Sequence, residues 1–365
     1  MLPFRLCAFL VLGLSPAVHA ALDITDRFHI LLDETTDKDQ KKANGNCGWL
    51  GKANFNAIWN ECFTLAETGI KLVDDFHSKP EASRLLNAFF KNGDDPLTDN
   101  NLALIRGTFE AVRDWVEKGG RYNYGESVEK PYLYCFHTWL EKKTMQDLAW
   151  DTEGRNLMEE NPAGDGFVAT IEDVADYREA QKNQEEQLRE AGVKNPKVVP
   201  YWVKQQGVYI FDQYYGKDKG YCTSTGSGAA TQHVTPASTI TLCPTSLGTT
   251  NGALSNKRVV KLRSPGLTPK RRDATQVGDQ QLNKLYPTSI TLFHELFHLV
   301  LGNEETVPDG GEVYDLDEML KLDWDKASQN PETYANVAVA YDYTIHSGEK
   351  NGWKVEFYTG YTTQG

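Results

Sequence analysis

Past residue 20 the chain has no apolar run approaching the roughly 20 residues that a membrane-spanning helix needs. The stretch from Trp353 to Gly365 is polar and aromatic, without the hydrophobic tail of a lipid-anchor signal. A protein with no membrane partner is therefore expected. Basic residues are also short: 38 Lys and Arg stand against 51 Asp and Glu, a formal charge of −13. Phosphate backbones are gripped by clustered Lys and Arg, so this balance argues against nucleic acid as a partner. Cysteine is scarce, six in 365 residues, and no two are spaced as CxxC. That excludes the usual cysteine-ligated zinc sites. No internal repeat is present, so a solenoid is not expected.

The first twenty residues read as a secretory signal. Arg5 gives a positive start, Leu6 to Leu14 is a short apolar run, and Val18-His19-Ala20 offers small residues to a signal peptidase. A secreted, extracellular protein follows, and that compartment permits disulfides. Five cysteines remain: Cys47, Cys62, Cys135, Cys222 and Cys243. Cys222 and Cys243 bracket a Ser/Thr/Gly-rich segment and form a plausible local pair. Cys135 has Cys47 or Cys62 as partner, which leaves one thiol over.

The rest of the chain reads as an N-terminal extension, 21–46, and one domain, 47–365. Insertions are expected near 150–197 and 246–285. Residues 47–140 are mainly helical in pattern. Apolar residues recur at helical spacing over Phe55–Phe76 and over Leu102–Val116, and Gly119-Gly120 closes the second run. Glu172–Ala191 is rich in Glu, Gln, Lys and Arg and predicts a solvated helix. Val198–Tyr215 and Thr239–Cys243 predict strands. Ser246–Asp279 has a loop composition and holds the basic cluster Lys257–Arg272. There Lys270-Arg271-Arg272 reads as a solvated loop, or secondarily as a processing site. Helical spacing returns over Ser289–Gly302, and a last helix is expected over Glu332–Tyr343, with Pro331 in its first turn. The fold class is α+β, helix-dominated.

The chemistry concentrates in Thr291-Leu292-Phe293-His294-Glu295-Leu296-Phe297-His298. Residues four apart share a helix face, so His294 and His298 can direct two imidazoles at one ion. Zinc accepts such a pair, and Glu295 can reach a water on the ion without ligating it. Leu292, Leu296, Leu299 and Val300 give this helix an apolar face to bury. A third ligand is needed, and the acids beyond the helix are the candidates: Glu304, Glu305, Asp309, Glu312, Asp315, Asp317 and Glu318. Asp309-Gly310-Gly311 is turn-forming and can bring the chain back under the metal. Glu318 lies at the interval seen where a second helix supplies the ligand.

Four segments resemble the aspzincin metalloendopeptidases, the secreted deuterolysin and peptidyl-Lys endopeptidase-like enzymes of fungi. They are Cys222 with Ile240-Thr241-Leu242-Cys243-Pro244, the stretch Thr291–His298, the Gly-rich acidic stretch ending at Tyr314, and Asn330-Pro331-Glu332-Thr333-Tyr334-Ala335. The likeness covers roughly residues 200–345. It implies a zincin-like fold, one Zn²⁺, a monomeric endopeptidase and a peptide or protein substrate. In that family the third ligand is an Asp three residues before a Tyr; here that position is Gly311. The resemblance therefore points to the neighbouring Glu312 as ligand, with Asp309 second.

The expected metal ligands are thus His294, His298 and Glu312. Glu295 is the expected general base, and Tyr314 a hydrogen-bond donor to the developing oxyanion. Tyr334, Ala335, Ala338 and Ala340 are expected to pack behind the site, and His233 and His346 to be structural. The competing expectation is a non-catalytic secreted zinc-binding or host-interacting protein on the same scaffold.

Overall fold

The computed structural model describes residues 21–34, 43–91, 95–123, 125–160, 164–190, 192–216, 220–223, 228–233, 237–247, 259–264, 280–351 and 354–364. The expected signal and Lys270-Arg271-Arg272 lie outside these residues, as does most of the expected 246–285 insertion.

Three long helices form one layer. Helix α1 (Lys52–Asp74) buries Phe55, Ile58, Trp59, Cys62, Leu65, Leu72 and Val73, the periodic face seen in the sequence. Helix α2 (Pro80–Phe89) starts on a proline, whose missing N–H costs nothing in a first turn. Helix α3 (Asp99–Lys118) is opened by Thr98 and Asn101, which cap each other's backbone reciprocally. It buries Leu102, Ile105, Phe109, Val112, Trp115 and Val116 and ends at Gly119. A methyl on Gly69 would lie 2.3 Å from the Phe109 ring, so α1 and α3 approach at a point only glycine allows.

Beside the helices lies a four-stranded sheet in the order β1 (His29–Ile30), β2 (Tyr132–Tyr134), β9 (Thr239–Leu242), β8 (Ala229–Gln232). The first three are parallel; β8 pairs antiparallel with β9 and forms the edge. The described part of the expected N-terminal extension, 21–34 and 43–46, belongs to this fold. It supplies β1 and buries Ile24 and Phe28 in the main core; a strand of two residues leaves no periodic trace in a sequence.

A second sheet runs β3 (Glu141–Lys142), β6 (Val198–Val203), β7 (Val208–Gln213), with β6 and β7 a hairpin. The region expected as an insertion packs on it. It holds a small hairpin, β4 (Met158–Glu160) and β5 (Gly166–Val168), and helix α4 (Ala175–Glu190), which buries no residue. Ala149, Ala169, Ile171, Val174, Val198 and Phe211 give this region its own small core.

Helix α5 (Ser289–Leu301) is buried on nearly every side and lies in the main core with α1 and α3. Three single-turn helices follow: α6 (Asn303–Thr306), α7 (Leu316–Met319) and α8 (Trp324–Ala327). Helix α9 (Pro331–Asn351) then returns through the core and runs past the expected end at Tyr343. Tyr334 on α9 packs against Phe90, Phe109 and Phe297, with ring centroids 5.0–5.3 Å apart. Its hydroxyl donates to the Ser328 carbonyl at 2.9 Å. The short strands β10 (Val355–Glu356) and β11 (Thr363–Gln364) close the described chain.

Disulfides join Cys47 to Cys135 and Cys222 to Cys243, and Cys62 is a buried free thiol. Cys47–Cys135 spans 88 positions, so chain entropy alone gives it about 4–5 kcal/mol of stabilisation. Among the described residues no helix is long and apolar enough to cross a membrane.

Candidate metal centre

The metal-site candidates are presented by α5 and by the loop before α7. Helix α5 is fixed at its start by α1. Glu61, on α1, accepts from the Ser289 hydroxyl at 2.9 Å and from the Leu262 N–H at 3.0 Å. Burial pushes the Glu61 carboxyl pKa up. Arg263 pairs with the fully buried Asp342 on α9 at 2.6 Å, so the segment around Leu262 straps α1, α5 and α9 together.

His294 and His298, one turn apart on α5, are buried, and their Nε2 atoms lie 3.2 Å apart. The Glu312 carboxylate lies across both. One oxygen is 3.0 Å from His294 Nε2 and the other 3.3 Å from His298 Nε2. A tetrahedral ion held at about 2.0–2.1 Å from its ligands has donors about 3.3–3.4 Å apart, so three donors are already near the spacing such an ion requires. Among the described residues this is the one group of three or more His, Cys, Asp or Glu side chains that could hold a metal ion.

The other ring nitrogens are also engaged. His294 Nδ1 is 3.0 Å from Glu332 on α9, and the second Glu332 oxygen accepts from the Asn336 amide at 3.1 Å. His298 Nδ1 is 2.7 Å from the Thr306 hydroxyl, which itself donates to the Gly302 carbonyl. Thr306 can then only accept from His298. Nδ1 of each imidazole is therefore the donor in these bonds, which leaves Nε2 as the atom that would face an ion. In the metal-free site burial opposes a charge on His294, but the hydrogen bonds to Glu312 and Glu332 outweigh it and push its pKa up to about 10. Burial likewise opposes the Glu312 charge, and the two histidines override it and pull its carboxyl far below the ordinary range.

Glu295 is outside this group and has its own partner. It is buried, and one carboxylate oxygen accepts from Thr231 of edge strand β8 at 2.6 Å. It makes no part of the three-residue group, yet its charge is felt by both His294 and Tyr314. The Tyr314 ring stacks on His294 at 5.7 Å while its hydroxyl turns in and donates to Glu312 at 2.8 Å. Burial of that hydroxyl, then the Glu312 charge, raise the phenol pKa, so it remains a donor.

This chain matches no family model, no curated protein and no solved structure.

The site's own geometry must therefore carry the reading. Gly310 and Gly311 have φ of 93° and 90°, a region that L side chains rarely adopt. A ligand side chain on Gly311 would be strained there, which accounts for an acid at 312 in place of one at 311. Asp309 is exposed and outside the group; Glu318 is exposed and paired with Lys321 at 2.6 Å. His233 bridges the Ser238 hydroxyl and the His298 carbonyl, and His346 bonds the Asp342 carbonyl on its own helix, so neither ring faces the three-residue group.

Sequence reasoning missed Glu332, Thr306 and Thr231. Glu332 lies within Asn330–Ala335, where the sequence signals only a helix start. Replacing Glu332 by Gln is expected to weaken metal binding about 10–100-fold, as loss of an outer carboxylate partner usually does. Equilibrium competition against a chelating dye measures it; unchanged affinity would show that Glu332 does not orient His294.

Proposed function

We propose that the protein is a secreted zinc-dependent endopeptidase of zincin-like arrangement. The observation that carries this reading is the convergence of His294, His298 and Glu312 beside a buried carboxylate, Glu295, that ligates nothing. Two imidazoles and one carboxylate match the catalytic zinc class, which keeps a fourth position open. The two disulfides fit an oxidising, extracellular compartment.

When bound, zinc supplies the Lewis acidity that brings the pKa of a water toward neutrality and polarises a carbonyl. The protein's residues supply the rest. Glu332 and Thr306 hold the Nδ1 protons and so fix the ligand tautomers. Thr231 holds one Glu295 oxygen, leaving the other to accept the water's proton and pass it to the leaving amine. Tyr314, at the rim with 62% of its surface exposed, presents a hydroxyl that can move from Glu312 to the developing oxyanion. β8 runs beside α5 as a sheet edge that can pair with an extended peptide.

The test is proteolysis of denatured casein and a broad peptide library by purified protein of measured zinc content. A chelator should abolish cleavage and added zinc restore it. A zinc-loaded protein that cleaves no peptide in the library would overturn the peptidase reading and favour the non-catalytic zinc-binding one.

A further inference from the structure

We infer that Asn330 is a positioning residue for Glu312, an inference that rests on reading the three-residue group as a metal site. Asn330 stands immediately before α9 and is fully buried. At such a position an Asn oxygen ordinarily accepts an N–H of its own helix's first turn. Here the side chain turns to a residue 17 positions back in the sequence. Its amide donates to the Val313 carbonyl at 3.0 Å, and its oxygen accepts from the Val313 N–H at 3.2 Å. A further hydrogen bond to the Thr333 hydroxyl, 3.0 Å, fixes the amide's orientation.

Val313 is the residue between Glu312 and Tyr314. Both of its backbone hydrogen-bonding groups are thus held by one side chain, as a partner strand would hold them. The chain just before it, Gly310-Gly311, has the backbone freedom of two glycines at positive φ and carries one local turn bond, from the Gly311 N–H to the Pro308 carbonyl at 2.8 Å. Without Asn330 the Glu312 carboxylate would be carried by a loop with little to fix it. Glu332 lies two residues on and holds His294. The first turn of α9 therefore orients two of the three ligands, one from α5 and one from the loop.

Serine is the informative replacement. It caps a helix about as well as asparagine, but is too short to reach both groups of Val313. Asn330→Ser should keep the start of α9 and lose the clamp. Asn330→Asp keeps an acceptor for the Val313 N–H and loses the donor to its carbonyl. Cobalt(II) is the probe, because its visible absorption reports ligand number as well as occupancy. Wild type should give the intense band of a low-coordinate site. Asn330→Ser should bind cobalt about 10–100-fold more weakly, the range for an outer partner, with a weaker band. Asn330→Asp should fall between, and it carries the test if the serine variant does not fold. In a Glu312→Ala background, Asn330→Asp should cost no further affinity, because its effect passes through Glu312. Folded Asn330 variants with wild-type affinity and spectrum would overturn the inference alone, as would full additivity with Glu312→Ala. Failure of the wild type to bind cobalt or zinc would instead overturn the metal reading on which it rests.

Discussion

Replacing Glu295 by Gln is expected to lower kcat by about 10²–10⁴-fold, the usual share of a general base, and to leave zinc content unchanged. The substitution is nearly isosteric. A glutamine carbonyl can still accept from Thr231, so the side chain keeps its place in a buried site. It cannot take a proton. Glu295 is outside the metal-binding group, so no ligand is lost. The separation of effects is the point: activity falls while metal affinity and melting temperature hold. Steady-state kinetics on a peptide substrate, with metal analysis of the same samples, measure it. A glutamine variant as fast as wild type would remove Glu295 from the mechanism. One that lost its zinc would make Glu295 part of the metal site.

The same helix shows how far a sequence can be read. Helix α5 was legible because two signals coincide on it: apolar residues at helical spacing and two histidines one turn apart. Both are local, and the structure places them on the expected element. Glu312 was legible only through the resemblance and the gap that Gly311 leaves in it. Among seven acids in fifteen residues, no spacing rule distinguishes the one that turns inward. What selects it is tertiary: two glycines at positive φ and a side chain 17 residues later. The partners of the site share this character. Thr231 meets Glu295 across 64 positions and Glu332 meets His294 across 38, and neither leaves a periodic signature. The strands over Val198–Tyr215 and Thr239–Cys243 were legible, but β1 and β2 were missed for a simpler reason. β1 and β2 have two and three residues, too few to alternate, and they are recognised only by pairing, β1 with β2 and β2 with β9.

Replacing Glu312 by Ala is expected to weaken zinc binding by more than about 100-fold, beyond the range for an outer partner. Among the described residues no other acid offers an oxygen to the pair of histidine nitrogens, so the variant keeps two donors on one helix. The loss should also change the dependence on pH. In the metal-free protein His294 holds a proton on each ring nitrogen, between Glu312 and Glu332, with its pKa pushed up to about 10 from an ordinary 6.5. That pairing stabilises the metal-free fold fully below pH 6.5 and is lost as pH rises through about 10. A metal at Nε2 must displace the proton. Wild-type affinity should therefore rise about tenfold per pH unit between 6.5 and 10. In Glu312→Ala one of the three carboxylates that raise the His294 pKa is gone, leaving Glu332 and Glu295, so the rise should level off at lower pH. Chelator competition from pH 6.5 to 8.5 on both proteins measures affinity and slope together. A variant within tenfold of wild type would exclude Glu312 as a ligand. A wild-type affinity independent of pH would show that His294 is already neutral, and that the carboxylates on either side of it do not hold a proton the metal must replace.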